Sequence, residues 1–253
     1  INDVNKNDEA SPIMEIKFNR SGIYKQKIAN MAKVISEIGY DVTNRPPTIV
    51  GICEVENRKV VEDLILDEKL KNYNYGIVHY ESPDDRGIDV GLIFNKDVFK
   101  VKNSNSHDVF ITGNNSSNRR NTRDQLVVSG LLDGELIHII VNHWPSRGAD
   151  ETKRIAAAEV NNSIIDSLRN IHNDPKIITM GDFNDDPFDK SIKKVLGAKK
   201  EIKEVGKNDL YNPFEKILVE KGIGTNAYRD KWQLFDQIIL SKEFLKKDYK
   251  DYQ

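Results

Sequence analysis

The stretch Lys176-Ile177-Ile178-Thr179-Met180-Gly181-Asp182-Phe183-Asn184-Asp185-Asp186-Pro187 constrains this chain most. Ile177 to Met180 is a short apolar run of the kind that forms a buried strand. Gly181 follows at once, and Asp182 and Asn184, spaced by two, face one way. Asp185-Asp186-Pro187 reads as turn chemistry that ends the strand. A carboxylate and a carboxamide are thus presented together at a strand's carboxyl end, where open α/β sheets place their ligands. A carboxylate can take a proton from water, and a carboxamide can hold an oxyanion without adding negative charge. The pair suits hydrolysis of a phosphate ester. A solvated strand-end turn would look the same over so few residues, so the assignment rests on what the other strand ends carry.

Thr48 to Cys53 reads as a buried strand with Glu54 at its end. A carboxylate there is costly unless it is paired or bound to a cation. Mg²⁺ takes one or two carboxylates together with water and substrate phosphate; a salt bridge to Arg58 or Lys59 is the competing reading. Gln125 to Leu132 and Leu136 to Val141 form a hairpin turned by Asp133-Gly134, and Asn142-His143-Trp144-Pro145 ends its second strand. His143 is placed either to donate to a phosphoryl oxygen or leaving group, or to pack on the surface beside a tryptophan. Trp232 to Leu240 is the last clear strand, interrupted by Asp236, which must be hydrogen-bonded or paired unless it stands on a solvated face. Arg123 and Arg86 can each fork onto a phosphate, against the ordinary alternative of a surface arginine.

Helices are expected over Tyr24 to Ile38, with Ile28, Met31, Ile35 and Ile38 on one face and Gly39 closing it, and over Val60 to Leu70. A third runs from Arg154 to Leu168 with Ile155, Ala158, Ile165 and Leu168 on its buried stripe, and a helix-like piece extends from Pro187 through Val195. Tyr75 to Tyr80 and Ile88 to Phe94 read as strands, residues Ile1 to Ser11 as a loop or mobile arm, and Gly113 to Asn121 as a polar loop. Interspersed strands and helices, several strands pairing as hairpins, predict a mixed α/β protein with helices outside. At 253 residues the chain suits one large domain or at most two small ones. The net charge of −2 argues against a broad electrostatic grip on nucleic acid but permits a local basic rim. The sequence has no long apolar run, so no stable membrane insertion is expected. Cys53, the single cysteine, reads as a buried thiol and excludes an intrachain disulfide.

The pieces Gly51-Ile52-Cys53-Glu54-Val55-Glu56-Asn57, Arg86-Gly87-Ile88-Asp89-Val90, Thr122-Arg123-Asp124, Asn142-His143-Trp144-Pro145-Ser146-Arg147, Gly181-Asp182-Phe183-Asn184 and Phe235-Asp236-Gln237 stand in one order over nearly the whole chain. Together they resemble the endonuclease/exonuclease/phosphatase superfamily, the deoxyribonuclease I-like metal-dependent phosphohydrolases, in a bacterial branch. The resemblance implies a four-layer α/β sandwich: two stacked, mostly antiparallel sheets with outer helices. It implies Glu54 as the Mg²⁺ ligand, with Mn²⁺ or Ca²⁺ as alternatives, and His143 as a phosphate-binding catalytic histidine. It implies that Asp182 activates or orients the attacking water, that Asn184 holds the phosphate or its pentacovalent transition state, and that Asp236 orients a second histidine. Arg123 resembles a phosphate-contacting arginine, with Arg86, Asn142 and Arg147 as further substrate-binding residues.

The same resemblance places a metal-site Asn upstream of Ile1 and an Asp-His pair beyond Gln253, and His107, His138 and His172 stand in the wrong contexts to replace that pair. The expectation is therefore a single domain over residues 1–253 lacking its first and last core strands, with impaired activity. A monomer is expected, with a periplasmic or secreted location favoured. Nucleic acid is favoured as substrate, with Arg119, Arg120, Arg123 and Arg147 as a basic rim. A sphingomyelinase-type phospholipid or inositol phosphohydrolase, with Trp144 and Trp232 as its apolar contact surface, is the second reading. A non-catalytic binding module on the same scaffold is the third.

Overall fold

The structure, a computed structural model, describes residues 20–112 and 119–245. The expected arm at residues 1–11 and residues 113–118 of the polar loop lie outside the described residues. The apolar runs form two sheets. β1 (Ile49–Val55), β2 (Tyr75–His79) and β3 (Asp89–Asn95) make an antiparallel sheet in the order β1-β3-β2. β4 (Phe99–His107) opens the second sheet, and β5 (Phe110–Thr112) pairs with β6 (Arg119–Asn121) beside it. β7 (Gln125–Leu132), β8 (Glu135–His143), β9 (Lys176–Asp182), β10 (Ala198–Lys199) and β11 (Leu210–Tyr211) follow in the chain. β12 (Asn226–Tyr228) and β13 (Lys231–Gln233) form a separate hairpin, and β14 (Asp236–Ser241) completes the seven-stranded order β10-β11-β14-β9-β8-β7-β4. Within it β8 and β9 run parallel, as do the two-residue strands β10 and β11, and the remaining neighbours are antiparallel.

The two sheets stack. Leu92, Phe94, Phe99, Leu126, Val128, Ile139 and Val141 fill the space between them. β1 lies against β8 and β9: a Cβ on Gly51 would stand 3.0 Å from Met180 Cε, and Cys53 Sγ donates to the Asn142 carbonyl at 3.2 Å. Helices α1 (Arg20–Glu37) and α2 (Arg58–Ile65) pack on the outer face of the small sheet. Helix α3 (Glu151–Ile171) covers the large one, and α4 (Phe214–Lys221) lies near its β10–β11 edge. The result is the four-layer α/β sandwich that the resemblance implied.

Several elements differ in detail from their sequence reading. The buried stripe of α1 is Ile28, Ala32 and Ile35, whereas Met31 and Ile38 are 43% and 51% exposed. The i, i+4, i+7 row, with a small alanine at its centre, lies closest to the sheet. α2 stops at Ile65, because Asp67 folds the chain back by accepting Lys69 N–H, and Leu70 then plugs the core. α3 begins at Glu151, three residues before Arg154, with Asp150 as its cap, and its buried face is partly polar: Arg154 and Asn161 lie in it beside Ala157, Ala158, Ile164 and Ile165. The helix-like piece after Pro187 is one π-helical turn, Ser191–Val195. Part of the polar loop is strand, β6. The run Trp232 to Leu240 is broken into β13 and β14, because Leu234 N–H turns away to donate to Asp186 Oδ1 at 2.8 Å.

Candidate active site

β8 and β9 run side by side in parallel and end together, and β14 begins where β9 ends. His143, Asp182 and Asp236 are therefore direct neighbours in one row across three strands. Residues opposite one another in a ladder project from the same face. Gly181 makes this possible: its φ is +128°, and a Cβ there would lie 2.1 Å from the Asn142 carbonyl oxygen, so only glycine lets β9 press against β8 at this point. Beyond Asp182 the chain turns sharply. Asp182 Oδ1 accepts Asn184 N–H at 2.8 Å, Asn184 adopts a left-handed φ of 50°, and its side-chain amide donates to the Trp144 carbonyl at 2.9 Å. Arg123 Nη2 donates to the same carbonyl at 2.7 Å. Asn184 and Arg123 thus meet at Trp144, directly after His143.

Glu54 reaches the site from the other sheet. The β1–β3 register shifts between Ile52 and Val55, and Glu54 sits in that bulge with φ 58°. A bulge re-aims one side chain out of the alternating pattern, and Glu54 is exposed rather than buried at the end of its strand. Its two sequence neighbours of opposite charge are taken, Arg58 by Glu62 and Lys59 by Asp63, so the salt bridge that would have made Glu54 structural does not form.

The electrostatics follow from the crowding. Burial pushes the Asp182 carboxyl up to about 6; the Asn184 N–H opposes that rise, and the nearby Asp236 and Glu54 carboxylates reinforce it. Burial, then Arg123 and Arg86, pull His143 down to about 3, so its imidazole is neutral at physiological pH. The 3.6 Å approach of His143 Nε2 to Asp182 Oδ2 is therefore not an ion pair, and Nδ1 is buried without a hydrogen-bond partner. Cys53 lies beneath the same group; burial first, and then the Asp182 and Asp236 charges, push its thiol up to about 12, against the Asp182 backbone and Arg123, so it stays protonated.

Three expected substrate or contact residues are not free for that role. Asn142 is 0% exposed; its amide donates to Thr179 and to the Ile140 and Met180 carbonyls, and its oxygen accepts from Trp144 Nε1 and Asn161. It braces β8 against β9 and α3. Trp144 is 1% exposed and stacked edge-on against Phe183, so it offers no surface to a lipid, while Trp232 stands exposed on the β12–β13 hairpin. Arg147 pairs with Asp186 at 3.0 Å and with Asp189, donates from Nε to the Asn184 carbonyl at 3.3 Å, and lies 4.8 Å over the Phe235 ring. It ties the loop after β9 to the approach to β14. Asp185 and Asp186, read as turn residues, are in fact buried acceptors: Asp185 binds Arg154 Nε at 2.7 Å and Ser191 Oγ at 2.6 Å.

Arg123 is buried and ion-paired to Asp84 at 3.3 Å, with its Nε unpartnered. Arg86 is the more exposed of the two, 3.6 Å from Asp84. Asp84, which anchors both arginines, carried no sequence signal beyond loop composition. Asp236 is exposed, and no histidine among the described residues pairs with it.

The donor set suits a hard divalent cation. An uncommitted Glu54 stands near Asp182 and Asp236, and the repulsion among these carboxylates, which adds to the effect of burial on Asp182, is what such an ion relieves. A second acidic group, His79, Glu81 and Asp89, has its ligand-type atoms within 4.8 Å of one another. There Asp89 already accepts from Ser82 N–H and Oγ, both at 2.7 Å, and from His79 at 3.1 Å.

Known proteins share the family and the fold. The model of the endonuclease/exonuclease/phosphatase family matches residues 1–253. Among functionally curated proteins none matches the chain in sequence. Among solved structures, truncated Caenorhabditis elegans TDP2 superposes with a TM-score of 0.56 at 14% identity, covering 86% of this chain and 78% of that one. ANGEL2, a 2′,3′-cyclic phosphatase, gives 0.60 at 15% identity over 84% and 72%. A Bacteroides thetaiotaomicron mannosyl-6-phosphatase gives 0.58 at 16% identity over 86% and 77%. At these identities the likeness is one of fold, and it joins the family match and the row of polar strand ends. This chain belongs to the endonuclease/exonuclease/phosphatase family of phosphoester hydrolases.

Proposed function

We propose that this protein hydrolyses phosphodiester bonds, with nucleic acid as its substrate, by in-line attack of water. The observation that carries the reading is the row His143, Asp182 and Asp236 on three adjacent strands, with Asn184 hydrogen-bonded to Asp182 beside it. With its pKa at about 6, Asp182 is ionised at neutral pH yet basic enough to orient and deprotonate water. Neutral His143 and the Asn184 amide are the donors for the oxygens on which charge develops. Exposed Arg86 is the cation available to bind a phosphate. Glu54 would hold Mg²⁺, which supplies Lewis-acid screening of that charge.

A small phosphate ester is the second reading. It is favoured because Arg123 and Arg147, half of the expected basic rim, are committed to internal partners, and the net charge is −2. One of the structures similar in fold is a mannosyl-6-phosphatase. Hydrolysis of plasmid DNA, an RNA oligonucleotide, bis(p-nitrophenyl) phosphate and a hexose 6-phosphate, each with Mg²⁺, separates the two. The first reading predicts cleavage of nucleic acid that weakens steeply with salt. Faster release of phosphate from the hexose ester would replace it with the second, and turnover of none of the four would remove both.

A further inference from the structure

A cleft of about 570 Å³ opens between the last turns of α3 and the outer face of β4, β7 and β8. It is separate from the candidate active site. His138, in its wall, and His143 lie five residues apart on one strand, so they project from opposite faces and stand about 16 Å apart along it. The packing agrees: Ile140 faces α3, while Ile139 and Val141 face the other sheet.

The chemistry of the wall is selective. Lys102, His107, His138 and His172 contribute to it, and no described lining residue is a carboxylate, in a chain with 40 Asp and Glu to 38 Lys and Arg. Valine, leucine and isoleucine side chains of β7 and α3 supply an apolar side. His138 is 1% exposed; its Nδ1 lies 2.7 Å from Ser129 Oγ, and its Nε2 is buried with no hydrogen-bond partner. Its ring stacks on His172 with centroids 4.8 Å apart. Burial first, and His172 second, pull its pKa down to about 4, so the ring is neutral. When the Ser129 hydroxyl donates to Nδ1, the imidazole proton sits on Nε2, a buried donor lacking an acceptor. An unmet buried donor is costly, and a ligand oxygen relieves it. A metal ion fits less well, because the three-residue ligand group among the described residues is elsewhere, at His79, Glu81 and Asp89. The volume falls within the range of small-molecule sites.

We propose that this cleft binds a small amphiphilic carboxylate, its head group accepting from His138 with Lys102 at the rim and its apolar body lying along β7 and α3. The test is titration of octanoate into the full chain, followed by the imidazole resonances of His138 and His172, with acetate and 1-octanol as probes of head and body alone. Octanoate is expected to saturate and to shift both histidines, while acetate and octanol do not saturate over the same range. His138→Phe, which keeps the ring volume and removes both nitrogens, is expected to weaken octanoate about tenfold. Lys102→Glu, at an exposed position where folding is not at stake, is expected to weaken it several-fold. Octanoate that leaves His138 unmoved, or that binds both variants as well as the wild type, overturns the proposal. So does a Zn²⁺ titration that shifts the two histidines where octanoate does not.

Discussion

Arg147 is held by the loop that follows β9. Its place after His143 suggested a phosphate ligand, but its guanidinium is occupied by Asp186, Asp189 and the Asn184 carbonyl and lies over Phe235. It holds Asn184 and Asp236 in register from outside the reacting group. Arg147→Lys keeps the charge and loses the planar fork. We expect steady-state kinetics to show kcat reduced about ten- to hundredfold, the scale of a catalytic group displaced by about an ångström, with KM little changed. A raised KM at unchanged kcat would return Arg147 to the substrate. Glu54, His143, Asp182, Asn184 and Asp236 could be singled out in the sequence because each is a polar residue within or directly after an apolar run. Asp84, Asp185 and Asp186 could not, because a buried aspartate in a loop reads like a solvated one until its arginine partner is placed, and those partners are 39, 31 and 39 residues away.

At the level of elements, the β8–β9 pair decides whether the site exists. Its register sets His143 opposite Asp182, and that register depends on Gly181. Gly181→Ala places a Cβ on the Asn142 carbonyl in a backbone conformation that alanine resists. Chemical denaturation should show a loss of about 3 kcal/mol, the upper end of single substitutions, and stability equal to the wild type would mean that the strands can part there freely. The β7–β8 hairpin was readable from Asp133-Gly134, whose two positive φ angles, 49° and 88°, suit its two-residue turn. β4 carried no comparable signal: its polar outward face, with Asn103, Asn105 and His107, masks the alternation expected of a strand. The break between β13 and β14 was hidden for a different reason, since Leu234 and Phe235 are apolar enough to continue a strand and are diverted by a hydrogen bond to distant Asp186.

The whole molecule joins chain segments that no local pattern connects. The small sheet supplies Glu54, the large one supplies His143, Asp182 and Asp236, and the packing of β1 on β8 and β9 brings them together. Order and spacing of the short motifs carried the family and the four layers, because each motif stands at one end of a core strand, β1, β3, β7, β8, β9 or β14. The outer face of the large sheet, where His138 and His172 stack, had no such motif and became visible only once α3 was laid across it. The central claim is that these segments form one hydrolytic centre around Asp182. It is tested most directly by kcat/KM for bis(p-nitrophenyl) phosphate with Mg²⁺ at neutral pH, comparing the wild type with Asp182→Ala of equal unfolding midpoint. Asp182→Ala is expected to lose about 10²–10⁴-fold; turnover close to that of the wild type would contradict a hydrolytic role for Asp182.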